Sequence, residues 1–212
     1  MIRNFLRSTV YGTCVCAAAA CLVVFAIPAR GQPCPPQHYR WAEKTSTALF
    51  ASRVQPVTIG TILTRWTLPP IGPGPAYWCA PRVAAERVVY GVTGWLRLAD
   101  TVKSDGDWHL ELTETPTDDV ERCIVVEIPE PRYDARFGRA RAALDSLLRA
   151  SRIKRHGQLA QPIHVRVTGP AFFDGEHVHG ARHLARAQGH GRCNDSLRAL
   201  WEIHPVFRIE AP

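Results

Sequence analysis

Histidine and carboxylate recur together in the second half of this chain: His109 with Glu111, Asp174 with His177, and Glu202 with His204. An imidazole can accept or donate near neutral pH and a carboxylate is an anionic acceptor, so such pairs suit a divalent cation or a general acid/base couple. His109 and Glu111 are two apart in an alternating run, as are Glu202 and His204, and residues two apart share a strand face. Asp174 and His177 fall in a connection that could close over them. No HExxH is present, and His177-Val178-His179 sits in a loop. The competing use is structural, since Asp107 or Glu202 can hold an imidazole donor and tie a turn to a strand. The structural use is the favoured one for His109 and His204, with no metal ion and no cofactor assigned.

Other chemistries find less support. Ser104, Ser146, Ser151 and Ser196 lie in no GxSxG-like elbow, and no glycine run precedes a helix as phosphate binding would require. Of seven cysteines, Cys34, Cys79, Cys123 and Cys193 follow the N-terminal segment. They contain no CxxC pair, so two disulfides are expected rather than zinc, with the pairing left open among three possibilities.

Positioning these groups takes a compact framework preceded by a leader. Met1–Arg7 carries two arginines and Thr9–Ile27 is nearly all apolar, the layout of a secretory signal over residues 1–31; an uncleaved anchor is the alternative. The expected location is secreted or periplasmic, without stable membrane insertion after cleavage. The formal charge of +7 includes Arg3, Arg7 and Arg30 of a leader that holds no acid, and falls to +4 without them. That excess argues only weakly for nucleic acid. With 46% apolar and 21% charged residues the chain is neither disordered nor polytopic.

Residues 32–82 read as an N-terminal extension, with a β-rich stretch over Val54–Leu68 and a Pro/Gly loop at Pro69–Pro75. Residues 83–212 read as the main domain. Strands are expected at Arg87–Lys103, bent at Gly91 and Gly94, at Trp108–Thr113 after a turn with positive φ at Gly106, and at Cys123–Ile128. Apolar spacing of three and four then predicts an amphipathic helix over Asp134–Arg152, with Asp134 as N-cap. Arginines crowd that helix, and Arg132, Arg136, Arg139 and Arg149 are the polyanion-binding candidates. A strand from Ile163 into Phe173, a mobile His-rich insertion over Gly175–Asp195 with a helical turn near Arg182–Ala187, and a strand over Leu200–Glu210, awkward at Pro205, complete the chain. The fold class is mainly β with one amphipathic helix: strand-strand-strand-helix-strand-strand is the order of a five-stranded OB-like barrel, here with an N-terminal extension strand.

Four stretches carry a resemblance: Asp105-Gly106-Asp107-Trp108-His109-Leu110, Glu127-Ile128-Pro129, Thr168-Gly169-Pro170-Ala171-Phe172-Phe173-Asp174 with His177, and Glu202-Ile203-His204-Pro205. In this order they resemble a group of uncharacterised secreted bacterial proteins with DGDxHL, TGxxFFDxxH and ExHP motifs. The resemblance implies an OB-like barrel and no established activity. The sequence departs from the commoner pattern between Val178 and Leu200. The expected function is an exported, non-enzymatic binding module for an oligosaccharide, an oligonucleotide or a protein of the envelope. The alternative is a metal-assisted hydrolase or nuclease built on His109, Glu111, Asp174, His177, Glu202 and His204. Convergence of those polar atoms is the test between the two.

Overall fold

Whether alternating apolar residues become strand or helix is decided here by the polar residues between them. The computed structural model describes residues 38–102, 104–178 and 190–212. The expected leader, Cys34 and the helical turn near Arg182–Ala187 lie outside the described residues. β1 (Val54–Val57) pairs in parallel with β2 (Val89–Thr101). The strand expected to run on to Leu68 stops at Val57, because the Thr58 hydroxyl accepts the Thr61 N–H and caps a helix, α2 (Ile59–Arg65). Ile59, Ile62 and Leu63 alternate imperfectly but recur at three and four, and all three are buried on one face of α2.

Besides β1, β2 pairs with β3 (Trp108–Thr113) and β5 (Gln158–Phe173), both antiparallel. Its register shifts between Leu96 and Leu98, so the irregularity lies at Arg97 rather than at Gly91 or Gly94. Gly94 serves close approach instead: a Cβ there would stand 2.7 Å from Ile59 Cδ1 and 2.8 Å from the Thr113 carbonyl oxygen. The turn from β2 to β3 has Gly106 at φ +79°, as expected.

β3 pairs antiparallel with β4 (Cys123–Ile128), which is buried at every position. The chain then enters α3 (Ala135–Leu148), whose Asp134 cap accepts the Arg136 N–H at 2.9 Å. α3 buries Phe137, Ala140, Leu144 and Leu148, and ends short of the expected Arg152. Density alone would put all its arginines on an outer face, but Arg141 is not there: it donates to the carbonyls of Gly106, Ile128 and Pro129, linking helix to hairpin turn.

The last expected strand is two short ones, β6 (Trp201–Ile203) and β7 (Arg208–Glu210), separated at Pro205, which has no N–H for a ladder and follows a cis peptide bond. β6 runs parallel to β4 and antiparallel to β5, and β7 pairs with β5. The whole is a seven-stranded mixed sheet, order β1-β2-β3-β4-β6-β5-β7, with the additional β2–β5 ladder. Three α-helices are present among the described residues, α1 (Trp41–Lys44), α2 and α3, rather than one.

Cys123 and Cys193 form a disulfide across 70 residues, and Cys79 is disulfide-bonded as well. The first bond ties the segment before β6 to the start of β4. His190–Asp195, expected to be part of a mobile insertion, is therefore held: His190 and Cys193 are buried. No helix among the described residues is long and apolar enough to cross a membrane.

Candidate functional site

β3 and β4 bring the first pair of groups together. His109 stands opposite Glu127 in the ladder, and its Nδ1 lies 2.9 Å from Glu127 Oε1. The face of β3 that carries His109, Glu111 and Thr113 was expected to be polar; it is polar but covered, with Glu111 and Thr113 1% exposed. β6, parallel to β4, adds Glu202 and beyond it His204. His204 Nδ1 is 3.1 Å from both Glu202 Oε2 and Glu127 Oε2, and its Nε2 is 3.4 Å from Asp107 Oδ2. The carbonyl of His204 is held by Arg82, which also bonds the carbonyls of Ala171 and Glu43.

Two further segments complete the arrangement. Arg40, at φ 48°, sends its guanidinium in two 2.7 Å bonds to the fully buried Glu86 and donates to the Phe173 carbonyl. This anchors α1 at the end of β5 and puts Lys44 Nζ 3.0 Å from Asp174 Oδ2. The disulfide-held segment supplies His190, whose Nε2 lies 2.5 Å from Glu202 Oε1, and Arg192, whose backbone N–H and Nε bond the two oxygens of Glu111 at 2.8 and 2.7 Å. Gly191 lies between them at φ +60°, and a Cβ there would meet Glu111 Oε1 at 2.5 Å and His109 Nε2 at 2.7 Å, so both space and backbone call for glycine.

The six expected residues thus belong to one network. It runs from His109 through Glu127, His204 and Glu202 to His190, with Asp174 beside it. Glu111 joins through His109 at 3.6 Å, and His177 sits at the edge with Nε2 3.8 Å from Asp174 Oδ2. Lys44, Glu127, His190 and Arg192 were not anticipated. Glu127 had a legible signal as the one ionised residue in the apolar run Cys123–Ile128, whereas Lys44 and His190 had none, since tertiary contacts far along the chain place them.

A cleft of about 460 Å³ opens over this network, lined among others by Lys44, Glu127, Asp174, His177, His190 and Glu202. A second, of about 500 Å³, shares Val102, His109 and Gly191 with the first and adds Arg155, His156 and Arg192. None of Arg132, Arg136, Arg139 and Arg149 lines either cleft. Arg132 pairs with Glu130, Arg136 pairs with Asp134 and covers Phe50, and Arg149 donates to Ser146.

Charge is shared tightly here. Burial opposes a cation at His109, but the hydrogen bond to Glu127 and the negative charges of Glu111 and Glu127 hold it up to about 10. His204 is pushed well above the usual histidine range against the same burial cost, by Asp107, Glu127 and Glu202. Burial also opposes ionised carboxylates, yet bonds from His109 and His204 hold Glu127 well below its ordinary value. Glu202 is lowered to about 2, where bonds from His190 and His204 and the charge of Lys44 outweigh burial and Glu127. Not everything is satisfied. Both oxygens of Asp107, His204 Nε2, His109 Nε2 and His190 Nδ1 are buried without a hydrogen-bond partner among the described residues.

Two trios offer ligand atoms within 4.8 Å of one another: Asp107, Glu127 and His204, and Asp174, His190 and Glu202. A third, Glu111 with Cys123 and Cys193, is spent, because its sulfurs form the disulfide. Comparison with protein-family models, with curated proteins and with solved structures returns no match.

Proposed function

We propose that this chain is an exported, metal-assisted hydrolase of phosphodiesters, working in the acid–imidazole cleft. The observation that carries the reading is convergence: Asp107 and His109, Glu127, Asp174 and His177, and Glu202 and His204 come from four separate stretches of sequence and meet in one network. Charged groups are costly to bury, and a fold that gathers this many at the floor of an open cleft is arranged for chemistry more than for stability. A divalent ion held there would polarise a phosphoryl oxygen and lower the pKa of a bound water, which is the chemistry hydrolysis needs. The adjoining cleft, with Arg155, His156 and Arg192, supplies the positive field that would draw in an anionic chain.

The same reading takes the ring of ladders β2–β3–β4–β6–β5–β2, with α3 between β4 and β5, as the five-stranded OB-like barrel expected from the strand order, and β1 as its extension. It takes residues 1–31 as a secretory signal, in keeping with a disulfide in the mature part. The passive binding module is the second reading. It is favoured by one observation, that Glu127, Glu202, Asp174 and Glu111 each already face an imidazole, ammonium or guanidinium partner. A hydrolysis assay separates them. Purified protein should cleave bis-p-nitrophenyl phosphate and a single-stranded oligonucleotide, lose that activity in EDTA, and regain it with added Zn²⁺ or Mn²⁺. Oligonucleotide binding without cleavage under any of these metals would establish the binding module instead.

A further inference from the structure

Of the two trios, only one lines the cleft with all three members, the other reaching it through Glu127 alone. Asp174, His190 and Glu202 all line it, whereas Asp107 and His204 do not and are fully buried. A catalytic ion needs an open position for water or substrate, which the closed trio cannot give. In the open trio the His190 ring, 2% exposed, has a buried Nδ1 with no hydrogen-bond partner among the described residues. One imidazole and two carboxylates make a mixed nitrogen and oxygen donor set that fits Zn²⁺ or Mn²⁺ and is poor for the softer Cu⁺. Lys44 Nζ, 3.0 Å from Asp174 Oδ2, is the resident positive charge of this trio and would compete with an ion for that oxygen.

We infer that Asp174, His190 and Glu202 form a divalent-cation site open to the cleft, with the Lys44 ammonium as its competitor. The inference rests on the hydrolase reading and names the residues that would hold its metal. Three protein ligands leave a fourth position on the cleft side. His177, with Nε2 3.8 Å from Asp174 Oδ2 and its ring 5.4 Å from that of His190, borders that position. Asp107, Glu127 and His204 form the packed support beneath.

The test is calorimetric titration of the metal-free full chain with ZnCl₂ and with MnCl₂, alongside H190Q, E202Q, K44M and D107N, each checked for folding by near-ultraviolet circular dichroism. One equivalent should bind. H190Q and E202Q should weaken binding by roughly a hundredfold, at or beyond the upper end of what outer-shell changes cost. D107N should retain it, and K44M should tighten it by about tenfold, or about 1.4 kcal/mol. A hydrogen-bonded structural cluster would not show that gain on loss of Lys44, and K44M leaving affinity unchanged or weaker would count against the inference. Where a variant fails to fold, zinc anomalous scattering from wild-type crystals decides. A peak among Asp174, His190 and Glu202 supports the site, and a peak at Asp107 and His204 overturns it, the hydrolase reading then standing or falling separately on whether that protein shows metal-dependent cleavage. No binding of either ion by folded wild-type protein, with no anomalous peak, overturns both.

Discussion

At the scale of single residues, Glu127 and Glu202 each join two histidines, one per oxygen, and Glu127 is the anion that His109 and His204 share. Replacing it by glutamine leaves His109 and His204 without their shared anion, and breaking a buried pair in this way costs about 3 kcal/mol, or roughly 6–12 °C in thermal midpoint for a domain of this size. A shift of 1 °C or less by differential scanning calorimetry would show that Glu127 is a bystander. His109 shares the alkaline pH behaviour with His204, whose pKa is raised as well. The folded-state pKa of His109 is raised from 6.5 to about 10, so its contribution to stability is complete below about 6.5 and fades as pH climbs toward 10. Glu111 and Glu127 are lowered, so their contribution is present above about 4.5 and is lost as pH falls through their folded values. The network is therefore fully stabilising between about 4.5 and 6.5 and weakens on both sides. H109Q should flatten the alkaline limb of a plot of midpoint against pH, and an unchanged alkaline slope in that variant would remove His109 from the account.

At the scale of elements, the disulfide-held segment is the piece that completes the site. Cys193 fixes a short run in which His190 reaches Glu202, Gly191 passes against His109, and Arg192 clamps Glu111. Replacing Cys123 and Cys193 together by serine should cost about 2–4 kcal/mol of stability. It should also lower hydrolysis by more than the unfolded fraction explains, since His190 and Arg192 lose their anchor. Activity that tracks only the folded fraction would separate the segment from the site. At this scale the sequence was most legible where periodicity was strict and neighbours agreed with it. Trp108–Thr113 and Cys123–Ile128 are strands over the expected residues, and Asp134 caps α3. Val54–Leu68 misled because its apolar residues fit both periods, and the choice fell to a single hydroxyl at Thr58. Thr58→Ala should accordingly cost about 1 kcal/mol, read as a lower denaturation midpoint in urea.

Across the whole molecule, the candidate site was half visible in advance. His109, Glu111, Asp174, His177, Glu202 and His204 could be picked out because polar residues inside alternating apolar runs are conspicuous. Lys44 and His190 could not, because what brings them in is the Arg40–Glu86 pair 46 residues apart in one case and the disulfide in the other. The arginine face of α3 drew attention by density alone, yet the basic residues that border the acid–imidazole cleft are Arg155, His156 and Arg192. If an anionic chain lies across the two clefts, Arg155→Glu should weaken oligonucleotide affinity and reduce the salt slope by about one or more. Reversal at Arg136 and Arg139 should do much less. Equal effects of the two changes would mean that the polyanion follows the helix.

If a divalent ion in this cleft assists phosphodiester hydrolysis, as proposed, the rate of oligonucleotide cleavage must follow the metal concentration. Metal-free protein titrated with Zn²⁺ or Mn²⁺ should pass from no cleavage to a saturating rate at one equivalent, with E202Q giving no comparable rise although folded. Cleavage that persists unchanged in EDTA, or that rises equally in E202Q, would contradict the proposal.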